Sequence, residues 1–198
     1  MGMVLTVRGS SISAIADDFN RADGPLVGSK TTIGKRAWSK PSSGDTVASI
    51  VNQQLLCTEG TLTDTYLIDV DAVDYDFGVT LSSRGVDEVK HSLVFRVTDE
   101  ANHMAVLFRQ TGTIKGYCIA NRLNGIYTYP LITGVVPKIG DVVSVSVLNN
   151  TATLYINGKS LGIATLPTGT PKTTLGIRIA GADRESAFDS LTVRTKPV

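Results

Sequence analysis

Apolar and polar residues alternate through DVVSVSVLNNTATLYINGKSLGIA, in the last third of the chain, with the period of two that is typical of half-buried β-strands. A two-residue turn at Asn149-Asn150 places Val145 opposite Leu154. The same turn places Val147 opposite Ala152. Opposed residues of an antiparallel pair share a face, so this hairpin has one apolar side and one side of Ser and Thr.

A second hairpin is predicted at Asn157-Gly158, because a type I′ turn needs positive φ at both central residues and Asn-Gly supplies it. A two-residue loop there predicts Leu154 opposite Leu161. It also predicts Ala152 opposite Ile163. The three strands form a meander whose apolar side needs a second sheet to cover it.

Short apolar or alternating segments fill the rest of the domain. The predicted strands lie within residues 47–57, 66–70, 73–81, 93–97, 104–108, 117–121, 126–132, 175–179 and 187–195. In the 93–108 hairpin, Leu93, Phe95 and Val97 are expected to share one face. No amphipathic helix of normal length and no repeat is found. The sequence therefore predicts an all-β fold, a two-sheet antiparallel β-sandwich or jelly roll.

The last predicted strand departs from strict alternation. Phe188 and Leu191 are separated by an odd number of positions and cannot share a face of a regular strand. Either Phe188 faces the other sheet, or a β-bulge lies near Asp189-Ser190.

Residues 1–15 are weakly patterned and are expected to be an extended arm, with the domain spanning residues 16–198. Arg8 follows the apolar VLTV instead of preceding it, so a signal peptide is not predicted. The 198 residues carry a formal net charge of +1 with no polybasic block, which argues against nucleic acid as a partner. No segment is apolar enough to insert into a membrane.

The two cysteines, Cys57 and Cys118, each lie in an apolar, strand-like context. We expect two small buried residues with free thiols. A disulfide is the alternative, disfavoured because a chain kept in a cytoplasm has reduced thiols.

Several segments together resemble one known family. They are DDFNRADGPLVG followed by Trp38, the hairpin LVFRVTDEANHMAVLFRQ, the meander above, TTLGIRIAG and the closing AFDSLTV. The chain is similar to concanavalin A-like lectin/glucanase (LamG-like) jelly rolls of the kind found in phage tail and other virion proteins. The similarity spans residues 16–195 and concerns strand order and turns, so it indicates fold more strongly than activity.

The resemblance implies a non-enzymatic phage virion protein, in a tail, baseplate or capsid decoration. It would be assembled in the host cytoplasm and would contact other virion proteins, copies of itself or cell-surface glycans. A free carbohydrate-binding module or lectin is the alternative.

A glucanase-type hydrolase is the weakest alternative. Glucanases of this fold class carry a strand with Glu-x-Asp-x-x-Glu, which this chain lacks. The nearest acidic cluster, IDVDAVDYDF, has no glutamate, and its spacing suits the solvent face of two strands. No Gly-x-Ser-x-Gly elbow supports a nucleophilic serine, and only His91 and His103 offer imidazole. No catalytic residue is predicted.

No cofactor is expected, apart from the structural calcium that many lectin-like jelly rolls hold. Asp17, Asp18 and Asp189 would meet if the terminal strands pair, and Asp69 with Asp71 is a second candidate. Turn-capping or solvated aspartates are the alternative interpretation, and it is the one favoured for both groups.

Sugar-binding jelly rolls present aromatic rings and planar polar side chains on a concave sheet or at its rim. The candidates in this sequence are Trp38, Arg96, Arg109, Tyr117, Asn121, Tyr127 and Tyr129. Arg96 and Arg109 are notable as cations on a half-apolar strand face, although their stems could simply pack there. For Trp38 a core or loop anchor is favoured over a stacking platform.

Overall fold

The structure is a computed structural model that describes residues 14–83, 89–110, 113–168 and 172–196. The described residues contain no helix, and hence none that could cross a membrane. Most of the predicted N-terminal arm lies outside these ranges, but Ala14 and Ile15 belong to the first strand of the domain.

Fifteen strands build the domain. In chain order they are β1 (Ala14–Asp17), β2 (Gly24–Pro25), β3 (Val47–Val51), β4 (Gln54–Glu59), β5 (Thr63–Asp69), β6 (Tyr75–Ser83), β7 (Val89–Asp99), β8 (Asn102–Arg109), β9 (Gly116–Leu123), β10 (Ile126–Ile132), β11 (Val142–Leu148), β12 (Thr151–Ile156), β13 (Lys159–Thr165), β14 (Thr174–Ala180) and β15 (Ala187–Thr195).

The strands form two antiparallel sheets. The nine-stranded sheet has the order β13-β12-β11-β6-β15-β4-β3-β2, with β1 paired to β15. The six-stranded sheet has the order β10-β9-β8-β7-β14-β5. Their inner faces enclose one large apolar core, which confirms the predicted sandwich.

The β11–β12 hairpin has the predicted register. Val145 pairs with Leu154 and Val147 with Ala152, and all four side chains are buried. Their polar neighbours point outward, so the alternation in the sequence is sufficient to place this hairpin.

The β12–β13 register differs from the prediction. Leu154 pairs with Gly162 and Ala152 with Ala164, because a bulge follows Leu154 and shifts β13 by one residue. Gly162 absorbs the irregularity at φ 153°. Ala164 is therefore buried, whereas Ile163 is 64% exposed.

The last strand contains the bulge that its sequence indicates. The pairing of β15 with β6 shifts between Asp189 and Leu191, and Ser190 adopts φ 48°. Phe188 and Leu191 are consequently both buried in the core.

Both cysteines are buried free thiols, as predicted. Cys57 lies in the main core. Cys118 lies instead in a second apolar cluster on the outer face of the six-stranded sheet.

Candidate functional site

The outer face of the six-stranded sheet is unusual in having an apolar cluster of its own. Side chains that alternate with core residues form rows across the strands. One row runs through Thr65, Arg178, Ser92, Leu107 and Cys118. The next runs through Leu67, Gly176, Val94, Ala105 and Ala120.

The second row is shallow in its middle, because Gly176, Ala105 and Ala120 carry almost no side chain. Larger groups rise beside it. The edge strand β10 contributes Tyr127 and Tyr129, whose rings stack with centroids 6.4 Å apart. The small residues form the floor of this face, and the rings of Tyr127 and Tyr129 form a tyrosine wall along one edge.

A cavity of about 290 Å³ opens on this face. We call it the outer-face groove, and its lining residues include Lys90, Ser92, Leu107, Arg109, Tyr127, Arg178 and Ala180. It combines apolar contact area with a few polar groups, which is the composition expected of a small-molecule site.

Arg178 is the central polar group of the groove. Its guanidinium forms no hydrogen bond or ion pair with any residue that the structure describes. Burial lowers the pKa of Arg178, the nearby Tyr127 opposes that change, and Arg122 lowers the pKa further. A desolvated cation without a partner is expensive for the fold and is available to a ligand.

Three polar atoms around Arg178 and Tyr127 also lack partners among the described residues. They are Thr65 Oγ1 and Ser92 Oγ, which flank Arg178 across the strands, and His103 Nε2. Each is buried, and a buried polar atom without a hydrogen bond typically costs about 1–3 kcal/mol.

His103 supports the tyrosine wall from below. Its ring meets Tyr127 edge-on at 6.2 Å, and Nδ1 lies 3.4 Å from the backbone oxygen of Asp99. Burial lowers the pKa of His103 to about 4. The ring is therefore neutral at neutral pH.

Three of the predicted sugar-binding residues lie at or beside the groove. Arg109 and Tyr127 line it, and Tyr129 stacks on Tyr127.

Two predicted aromatic platforms are buried and cannot stack on a ligand at the surface. Trp38 is 2% exposed, and its Nε1 donates to Asp17 Oδ2 at 2.7 Å. Tyr117 faces the core, where its hydroxyl donates to Asp141 Oδ2 at 2.6 Å. Both are anchors of the fold, as favoured for Trp38, and neither can serve as the predicted sugar-binding platform.

Arg96 and Arg109 lie at opposite ends of the β7–β8 hairpin and do not form a pair. Arg96 adopts φ 49°, and its guanidinium donates to the backbone oxygen of Asn149. Together with His103 and Asn121 it lines a separate cavity of about 140 Å³ at the end of the sandwich.

The irregularity at Arg96 also reverses Val97. The β7–β8 register shifts after Phe95, and Val97 then joins the apolar cluster on the outer face instead of the core. The predicted shared face of the β7 residues therefore ends at Phe95.

The three aspartates of the predicted calcium site do not form a metal centre. Asp17 is buried and its oxygens bind Arg21 at 2.5 Å and Trp38, whereas Asp18 is exposed and accepts from Thr32. Asp189 is exposed on β15. The described residues hold no group of three or more His, Cys, Asp or Glu with metal-binding geometry.

The second calcium candidate has internal partners too. The Asp69 carboxylate accepts the backbone N–H of Asp71 at 2.9 Å, and Asp71 forms an ion pair with Arg36 at 2.5 Å. Asp69 caps a turn, as the alternative interpretation has it.

Sequence reasoning missed Arg178, Ser92 and His103. One signal was available: Arg178 alternates with Ile177 and Ile179, which places a cation on the outer face of a central strand. To predict that Arg178 lies near Tyr127, one must also know the strand order, which the sequence pattern leaves undetermined.

Comparisons with known proteins place the fold. No family model matches the chain, and no curated protein sequence matches it. Solved structures of similar fold include two carbohydrate-binding domains and a glucanase. The Emp47p carbohydrate recognition domain has TM-score 0.57 and 11% identity, over 95% of this chain and 98% of that one.

Carbohydrate-binding module CBM66 from Bacillus subtilis has TM-score 0.54 and 11% identity, over 80% of this chain and 92% of that one. A prokaryotic β-1,3-1,4-glucanase (lichenase) from a mouse hindgut metagenome has TM-score 0.56 and 12% identity, over 91% of this chain and 98% of that one. At such identities the similarity shows the fold alone, and it confirms the concanavalin A-like jelly roll predicted from the sequence.

Proposed function

We propose that this chain is a non-enzymatic, lectin-like domain that binds glycans in the outer-face groove. The observation that carries the proposal is that the Tyr127 ring and the guanidinium of Arg178, which has no partner among the described residues, line one groove together with the small residues Ser92 and Ala180. Aromatic faces pack on sugar rings, and fixed polar groups bind hydroxyls. The solved structures of similar fold include a carbohydrate-binding module and a carbohydrate recognition domain.

The charge of the groove supports binding over hydrolysis. Glycoside hydrolysis uses two carboxyl groups that flank the scissile bond. The described lining residues of the groove include no aspartate or glutamate. The similarity to a lichenase is therefore a similarity of fold without the expected acid pair in this groove.

Tyr127→Ala tests the proposal on a glycan array. We expect the wild-type protein to bind a subset of glycans, and the variant to lose about 3- to 10-fold in affinity because a stacking face is removed. Tyr155→Ala is the matched control, since Tyr155 is a half-buried tyrosine on the outer face of the other sheet. A wild-type protein that binds no glycan, or equal binding by both variants, would contradict the proposal.

We also propose that the domain is carried on a phage virion, where it contacts other virion proteins, copies of itself or host glycans. The sequence resemblance to virion jelly rolls supports this location. The similarity to CBM66 supports a free carbohydrate-binding module equally well. Recovery of the protein in purified particles would support the virion location, and recovery only as free protein would favour the free module.

A further inference from the structure

The charged side chains among the described lining residues of the outer-face groove are cations, and the nearby Asp183 carboxylate is occupied by the backbone N–H of Lys90 at 2.8 Å. Lys90, Arg109 and Arg178 line it, Arg122 lies beside it, and no aspartate or glutamate is among its described lining residues. The whole chain has a formal net charge of only +1, so this concentration of positive charge is local. A local positive field in a cleft favours an anionic ligand.

The two carboxylates that attract Arg178, Asp64 and Glu100, do not form an ion pair with it. Asp64 and Glu100 act on Arg178 only through longer-range attraction. The Asp64 carboxylate is occupied, because Lys40 binds it at 3.1 Å and the backbone N–H groups of Gly44 and Thr46 donate to it. The guanidinium therefore keeps its capacity to bind another anion.

The shape of the guanidinium narrows the class of anion. Its planar fork matches the two oxygens of a carboxylate, and such a pair is strongest where water is partly excluded. Arg178 meets that condition, since it stands on a central strand between the buried side chains of Thr65 and Ser92. The half-buried Tyr127 ring packs against Tyr129 and lies 5.4 Å from the Arg122 guanidinium, and its exposed part supplies aromatic surface for the ring that bears the carboxylate.

We propose that the outer-face groove selects acidic glycans, with the carboxylate of a uronic or sialic acid residue bound by Arg178. This inference rests on the proposed glycan-binding function and adds the class of sugar. A sulfate ester carries the same charge as a carboxylate but is tetrahedral. Binding to sulfated polymers is therefore measured separately.

Matched polymers test the wild-type protein without any mutation. Polygalacturonic acid is compared with its methyl ester, fetuin with asialofetuin, and dextran sulfate with dextran. We expect at least about tenfold tighter binding to the carboxylate-bearing member of at least one of the first two pairs, because a charged hydrogen-bonded pair is lost with the carboxylate. Salt should weaken that binding.

Arg178→Gln assigns the effect to the groove. It removes one charge, as does the control Arg194→Gln on an exposed residue of the nine-stranded sheet. We expect the first variant to lose about tenfold or more in affinity for the acidic polymer, and the control to keep wild-type affinity. A melting curve for each variant shows whether it is folded, and the matched polymers remain a test if one is not.

The outcomes separate the two proposals. Equal binding to the acidic and neutral members, with loss on Tyr127→Ala, would overturn the acidic class and leave glycan binding in place. Preference for dextran sulfate alone, or equal loss in both arginine variants, would overturn carboxylate recognition by Arg178. Binding to none of the polymers or array glycans would overturn both proposals.

Discussion

His103 shows how a single residue links the groove to the stability of the fold. It is buried under Tyr127, and its Nε2 has no partner among the described residues. Burial lowers the pKa of its imidazole from 6.5 to about 4, so the native state favours the neutral ring. Protonation of the unfolded chain then competes with folding at mildly acidic pH.

The sign of the effect follows from linkage. The pKa of His103 is lower in the folded state than in the unfolded state. Its contribution to the unfolding free energy is therefore fully present above pH 6.5 and is lost as the pH falls toward 4. We expect His103 to account for a loss of about 1–2 kcal/mol in unfolding free energy between pH 7 and pH 5. Urea unfolding at the two pH values measures it.

His103→Asn should make that pH dependence shallower. Some dependence remains in the variant, because burial also lowers the pKa of His91. Aspartates with lowered pKa, such as Asp64 and Asp99, act only at lower pH, so they do not account for a slope between pH 5 and pH 7. If the unfolding free energy of His103→Asn depended on pH as steeply as that of the wild type, the lowered pKa of His103 in the native state would be contradicted.

Strand β14 shows how one element shapes the outer face beside the groove. Gly176 lies between Leu67 of β5 and Val94 of β7 on the outer face. A Cβ at this position would come within 1.9 Å of the backbone oxygen of Tyr66. The close approach of the strands and the dip in the floor therefore both require glycine here.

Gly176→Ala tests this role of β14. We expect a loss of about 1–3 kcal/mol in unfolding free energy, because the obstructing atom is backbone and cannot move aside. Gly24→Ala is the control, since a Cβ there meets nothing within 4 Å. Its expected change is within about 0.5 kcal/mol. Equal stability of both variants would contradict the close approach.

The elements also show which registers can be predicted from sequence. Alternation and an Asn-Asn turn were sufficient for β11 and β12, and the Phe188–Leu191 spacing was sufficient for the bulge in β15. The shifts at Gly162 and Arg96 were not predictable, because a bulge at an isolated glycine or arginine leaves the local pattern unchanged. Ile163 and Val97 were consequently assigned to the wrong faces.

At the scale of the whole molecule, the two outer faces differ. The nine-stranded sheet presents Ser144, Ser146 and Thr153 in neighbouring strands, as the alternation of the meander predicted. The six-stranded sheet presents the outer-face groove. Arg178 and Tyr127 meet there although many residues separate them in the chain, so the site depends on strand order, which the sequence pattern leaves undetermined.

Trp38 and Tyr117 also show that residue type does not determine where a side chain lies in the fold. Both residues suit a sugar platform by type, yet each places its polar atom on a buried aspartate and its ring in the core. Residue type alone could not separate these anchors from Tyr127, because the choice depends on which face of a strand each side chain occupies.

Chemical-shift mapping of ¹⁵N-labelled protein with the strongest glycan from the array tests the central claim most directly. If the outer-face groove is the site, amides of Ser92, Leu107, Arg178 and Ala180 shift during the titration, while those of Ser144 and Thr153 on the other sheet stay in place. Shifts confined to the nine-stranded sheet or to the end of the sandwich around Arg96 would contradict it.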